Sequence, residues 1–110
     1  NFFITPVQYN NVYTGWLAYP ILVKKNKFFN RTDLQIFLEK NQIQTRVVFT
    51  GNILRQPGFT KIKCIKNKTY NNADKIMKSA LLIGCHHDLK DRQIIFMHKI
   101  IKKFIRLKTK

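Results

Sequence analysis

Acidic residues are scarce in this sequence: five Asp and Glu stand against 21 Lys and Arg in 110 residues, a formal charge of +16. With so few carboxylates, no paired acids can be placed for general acid and base work. Cysteine is confined to Cys64 and Cys85, which have neither the number nor the spacing of a disulfide framework, and no metal-ligand spacing joins them to His86, His87 or His98. The two thiols suit a reducing compartment. There is no Gly-rich phosphate loop, no RNA-binding aromatic signature and no Ser, His and Asp constellation. Apolar runs are broken by Pro20, Lys24 or Gly84 well short of a membrane-spanning length, and no tripartite leader opens the chain. The expectation is a soluble, cytoplasmic protein.

A hydrophobic content of 45% is ordinary for a globular chain, and the length fits one compact domain over residues 1–110. No repeat, low-complexity tract or Gly/Ser linker argues for two. The first residue is Asn1, followed by the apolar Phe2, Phe3 and Ile4, so the sequence reads as a piece of something longer. The charge invites a nucleic-acid reading, because clustered Lys and Arg displace counterions from phosphate backbones. Lysine, asparagine and isoleucine are abundant throughout, however, as an AT-rich genome produces. Scattered, solvated lysines are the simpler account, and nucleic acid is not the expected partner.

The pattern predicts an entry segment over 1–14, then a strand over Trp16–Val23, in which Pro20 favours an edge position or a bulge. Asn30 and Asp33 have the spacing of a helix cap, with Leu34, Phe37 and Leu38 inward, Gln35, Glu39 and Lys40 toward water, and Asn41 as the stop. A second strand is expected over Gln44–Phe49, ending at Thr50 and Gly51, and a loop over Asn52–Phe59 around Gln56-Pro57-Gly58. A helix over Asn72–Ser79 should turn Ala73, Ile76, Met77 and Ala80 inward. Leu81–Cys85 reads as a buried strand, and Asp91–Leu107 as an amphipathic helix with Ile94, Met97, Ile101, Phe104 and Ile105 on one stripe. Strand, helix, strand, loop, helix, strand, helix is an α+β plan: a small antiparallel-type sheet covered mainly on one face by helices.

Polar chemistry is most concentrated over residues 45–57, where Arg46, Asn52, Arg55 and Gln56 sit at a strand end and its loop. Arginine forks hold phosphate or carboxylate bidentately, and Asn and Gln can bond sugar hydroxyls. Read alone, a structural role for this loop weighs as much as a binding one. His86 and His87 precede Asp88 without a third ligand nearby, so capping ahead of the last helix outweighs metal binding. The lysine-rich face of that helix fits an anionic surface, but equally any terminal helix that covers a sheet.

Gly15-Trp16-Leu17-Ala18-Tyr19-Pro20-Ile21, Thr45-Arg46 with Phe49, Gly51-Asn52, Arg55-Gln56-Pro57 and Ile83-Gly84-Cys85-His86-His87 together form a pattern that resembles the C-terminal end of the DegT/StrS sugar aminotransferase family. The resemblance covers nearly the whole chain. Within the family, Arg55-Gln56-Pro57 after Gly51-Asn52 is similar to the branch that dehydrates CDP-4-keto-6-deoxyglucose at carbon 3, toward the dideoxyhexoses of lipopolysaccharide O-antigen. Asp88 departs from the pattern, which usually has glycine there.

The resemblance implies a fold-type-I enzyme that binds pyridoxamine or pyridoxal phosphate in a large domain, with this chain as the small C-terminal domain that closes the site. It implies a nucleotide-sugar substrate, a homodimer and, in members paired with a reductase, an iron-sulfur cluster. Cofactor and cluster belong to the large domain, so no catalytic, cofactor-binding or metal residue is expected here. What falls to this chain is substrate orientation or the domain interface, with Arg46, Asn52, Arg55 and Gln56 matching the family's motif. A nucleotide-sugar aminotransferase of the same family and a basic nucleic-acid-binding module are the alternatives.

Overall fold

The computed structural model describes residues 2–49, 51–65 and 69–110. Four strands, β1 (Phe3–Ile4), β2 (Ala18–Val23), β3 (Thr45–Val47) and β4 (Ala80–Gly84), form one antiparallel sheet in the order β1-β2-β4-β3. Helices α1 (Arg31–Lys40), α2 (Asn71–Ser79) and α3 (Asp91–Lys108) complete it, with two short 3-10 turns at Ile53–Arg55 and Pro57–Phe59. β2 and β3 both run antiparallel to β4 and are therefore parallel to each other. The chain crosses from β2 to β3 through α1, and β4 later slots between them.

The α+β expectation holds, and the elements fall close to their predicted places. β1 was not foreseen: Phe3 and Ile4 lie in the stretch read as an entry segment, and pair with Val23 and Leu22. A two-residue strand carries no periodicity to detect. Its brevity also explains Pro20. Along β2 the proline faces Leu82 of β4, while β1 reaches only Leu22 and Val23, so the side without an N–H borders no partner strand. β3 ends at Val47, two residues before the predicted end at Phe49, because Phe49 takes a left-handed φ of 44° that leaves the extended region.

Asn30 and Asp33 form a reciprocal cap on α1: the Asp33 N–H donates to Asn30 Oδ1 at 3.1 Å and the Asn30 N–H to Asp33 Oδ2 at 2.9 Å. At the other end Ile43 N–H bonds Leu38 O at 3.0 Å and Gln42 N–H bonds Glu39 O at 3.0 Å, with Gln42 left-handed at φ 62°. This is a Schellman closure made without glycine, in which Ile43 folds back onto Leu38. α3 begins with Gln93 Oε1 accepting the Lys90 N–H at 2.8 Å. His86 instead takes the Asp88 N–H on Nδ1 at 3.3 Å, so it shapes the turn before the helix rather than capping it, and the exposed His87 stands beside the Asp88 carboxylate.

The core lies between the sheet and α1 with α3. Ile21 and Val23 of β2 and Leu81 and Ile83 of β4 alternate inward to meet Leu34, Leu38 and Phe104. Phe104 is fully buried, 4.8 Å from the Phe29 ring and 5.2 Å from Phe37. α2 lies against β2 and β4 and carries no buried residue, and Ile76, expected inward, is exposed. Ile94 of the predicted α3 stripe is likewise half exposed. Among the described residues no helix is long and apolar enough to cross a membrane, and no three His, Cys, Asp or Glu side chains are grouped to hold a metal.

Candidate functional site

β3 is positioned by α1. Glu39 is exposed, as expected, and Gln35 is half-buried, and both also reach to the first residue of the strand. Glu39 Oε1 accepts from the Thr45 N–H at 2.5 Å and from its hydroxyl at 2.8 Å, while Gln35 Nε2 donates to Thr45 Oγ1 at 3.2 Å. The bonds from the Thr45 backbone and side chain hold the Glu39 carboxyl below its usual range. Thr45 is buried at the centre of this cluster.

Beyond β3 the chain turns sharply. Phe49 is left-handed and Gly51 follows at φ 70°, its N–H on Val48 O at 3.0 Å. Gly51 is required there on two counts. A side chain would be strained at that φ, and its Cβ would lie 2.5 Å from Met77 Cα, inside the backbone of α2. The close approach lets the next residues bind α2 directly. Asn52 is 5% exposed, its Oδ1 takes the Leu54 N–H at 3.1 Å to start the first 3-10 turn, and its Nδ2 donates to Asp74 Oδ1 at 2.8 Å. Arg55 meets the same carboxylate with Nε at 3.0 Å and Nη2 at 2.9 Å, in the parallel fork geometry. These donors, Arg55 first and Asn52 second, hold the Asp74 carboxyl down at about 2, and the Arg55 guanidinium is pushed up by Asp74 in return.

Of the four residues singled out in the sequence, the fold thus joins two, Asn52 and Arg55, on one acid. Gln56 is the next residue and lines a cleft of about 310 Å³ with Arg31, Val47, Val48, Phe49 and Met77. Arg46 stands apart, exposed on β3 opposite Leu82, its Nη1 donating to the Thr45 carbonyl at 2.9 Å. Asp74, Glu39 and Arg31 carry no sequence motif. Asp74 alone left a trace, being one of five acids in a chain with many cations and placed in the first turn of a helix. A separate apolar groove of about 550 Å³ runs between the sheet and the first half of α3, walled by residues that include Phe3, Tyr19, Cys85, Leu89, Ile94 and Ile95.

Known proteins share both the sequence and the fold. Lipopolysaccharide biosynthesis protein RfbH of Salmonella typhimurium is 32% identical over 93 residues, covering 84% of this chain and 21% of that protein. The dTDP-4-dehydro-2,6-dideoxy-D-glucose 3-dehydratase of Saccharopolyspora spinosa is 26% identical over 102 residues, 93% of this chain and 22% of that protein. The chain therefore spans about a fifth of the length of these relatives. In fold it resembles the E. coli GDP-4-keto-6-deoxy-D-mannose-3-dehydratase solved with bound hydrated PLP, at a TM-score of 0.75 and 23% identity over 87% of this chain and 25% of that one. Residues 1–102 match one family along both the sheet and the loop that Asp74 anchors, and the chain belongs to it: the DegT/DnrJ/EryC1/StrS aminotransferase family.

Proposed function

We propose that this chain is the small closing domain of a larger, cytoplasmic, pyridoxamine- or pyridoxal-phosphate-dependent enzyme that removes the 3-hydroxyl from a nucleotide-linked 4-keto-6-deoxy sugar in lipopolysaccharide biosynthesis. The observation that carries the reading is the identity with a protein named as a nucleotide-sugar 3-dehydratase, spread over 102 residues of this chain. The second relative, named for lipopolysaccharide biosynthesis, supports the setting. The family's name keeps a nucleotide-sugar aminotransferase as the second reading.

The cofactor does not fit the residues of this chain. A pyridoxal-type site needs an amine or its replacement at the reacting carbon and a charged partner for the ring nitrogen. The cleft beside β3 contains neither a lysine nor a carboxylate. The cofactor, the iron-sulfur cluster of reductase-paired members and the reductase contact belong, in this reading, to the remainder of the parent. The apolar groove beside α3 is the surface that the large domain covers, and the parent is a homodimer.

Within this reading the loop after β3 borders the substrate. Asn52 and Arg55 position it through Asp74, while Arg46 and Gln56 contact the sugar nucleotide or the large domain. The test is the product formed by the full-length protein from CDP-4-keto-6-deoxyglucose when a two-electron reductant, a reductase with NADH, and glutamate are both supplied. A 3-deoxy ketone supports dehydration, whereas a 4-amino sugar formed with glutamate as donor moves the assignment to the aminotransferase.

A further inference from the structure

The cleft between the start of α1 and the end of β3 holds a cation that the fold leaves unanswered. Arg31 is the first residue of α1, and its side chain lines the cleft with Gln56, Met77 and the three residues Val47, Val48 and Phe49. Its Nε is buried and has no hydrogen-bond partner, and among the described residues its guanidinium enters no ion pair. The scarcity of acid makes this informative. Asp33 is taken by the Asn30 N–H, Glu39 by Thr45, Asp74 by Arg55 and Asn52, and Asp88 stands beside His87 at 3.5 Å. The fifth, Asp91, opens α3, and no carboxylate lines the cleft. A buried guanidinium N–H with no acceptor is costly, and its planar fork matches an oxyanion. The start of the helix is not the attraction in itself, since Asn30 and Asp33 already close it.

We propose that this cleft is a phosphate-binding site in which Arg31 is the ligating residue, with the Gln56 amide beside it and the organic part of a phosphate ester lying along Val47, Val48 and Phe49. A phosphate in the cleft meets the outer guanidinium nitrogens, and a small rotation of the Arg31 side chain brings the buried Nε to a second oxygen. The apolar walls and the 84% exposed Phe49 ring offer a surface on which the rest of the ester can rest. The site rests on this chain's residues alone, while the choice of a cytidine nucleotide as probe rests on the proposed function, and inorganic phosphate tests the site apart from it.

The test uses the full chain, titrated with CMP, inorganic phosphate and acetate at about 0.15 M salt, which screens attraction to scattered lysines. Binding is followed by calorimetry and by the NMR signal of the Arg31 side-chain Nε–H. CMP should bind saturably and shift that signal, and Arg31→Gln should weaken CMP at least tenfold with unchanged thermal stability. Arg31→Lys, which keeps the charge without the fork, should recover only part of the affinity. Equal CMP affinity in wild type and Arg31→Gln, or an Arg31 signal that stays fixed at saturation, overturns the proposal. Acetate binding at Arg31 as tightly as inorganic phosphate also overturns it, because the cleft then receives a carboxylate. If Arg31→Gln does not fold, the signal in the wild-type chain decides alone.

Discussion

The Asp74 carboxylate receives Arg55 through both Nε and Nη2, at 3.0 and 2.9 Å, across a separation of 19 residues. That pair, with Asn52 as a third donor, joins the loop after β3 to the first turn of α2. It fixes the position of Gln56, the next residue in the chain.

The clasp should be visible in acid. Asp74 titrates near 2 in the folded chain against 3.8 when unperturbed, so its ionised form is favoured by folding. A depressed folded value contributes stability that is present above the unfolded value and is lost as pH falls through the folded one. Melting temperature should therefore decline between about pH 4 and pH 2. Glu39, also lowered, adds to the loss in the same direction. Asp74→Asn should be less stable than wild type at neutral pH and show a shallower decline in acid, as followed by circular dichroism.

Gly51 tests how closely the loop must approach α2. Gly51→Ala adds a Cβ into Met77 at a φ of 70°, and should cost about 1–3 kcal/mol from backbone strain before any displacement of the helix is counted. Chemical denaturation measures it. A change within error would mean that the loop does not sit against Met77.

Gln42 predicts the opposite sign. It closes the α1 Schellman motif at φ 62°, where a side chain is strained and glycine is not. Gln42→Gly should raise stability by about 1 kcal/mol, because relief of the left-handed strain outweighs the greater freedom of glycine in the unfolded chain.

In the full-length enzyme, Arg46→Ala and Gln56→Ala should each raise KM for the sugar nucleotide severalfold, with circular dichroism unchanged. Arg55→Ala should instead lower thermal stability along with activity, because its guanidinium is committed to Asp74. Kinetics indistinguishable from wild type for both Arg46→Ala and Gln56→Ala would remove these residues from the substrate's surroundings.

Much of the fold is legible because it is carried by local rules. The Asn30 and Asp33 spacing marks a helix start, short bounded apolar runs mark β2 and β4, and an apolar stripe marks α3. What escapes depends on partners distant in sequence. β1 exists only because Val23 and Leu22 offer it an edge, and the exposed Glu39 carboxylate gains its bonds only because Thr45 arrives to meet it. The loop motif Arg55-Gln56-Pro57 was recognisable, but not its acceptor, since nothing local ties Asp74 to residues 19 and 22 positions earlier. Arg31 is quieter still: a residue inside a helix cap gives no sign that its side chain enters a cleft.

We propose that this chain serves an enzyme that eliminates the 3-hydroxyl of a nucleotide-linked 4-keto sugar. The most direct measurement gives the full-length protein, with glutamate and with a reductase and NADH as two-electron reductant, CDP-4-keto-6-deoxyglucose with labelled oxygen on carbon 3 and follows that oxygen by mass spectrometry. Release of the label into water, with a product that lacks the 3-hydroxyl, is the predicted result. Label retained in a sugar that has gained nitrogen at carbon 4 would contradict the claim.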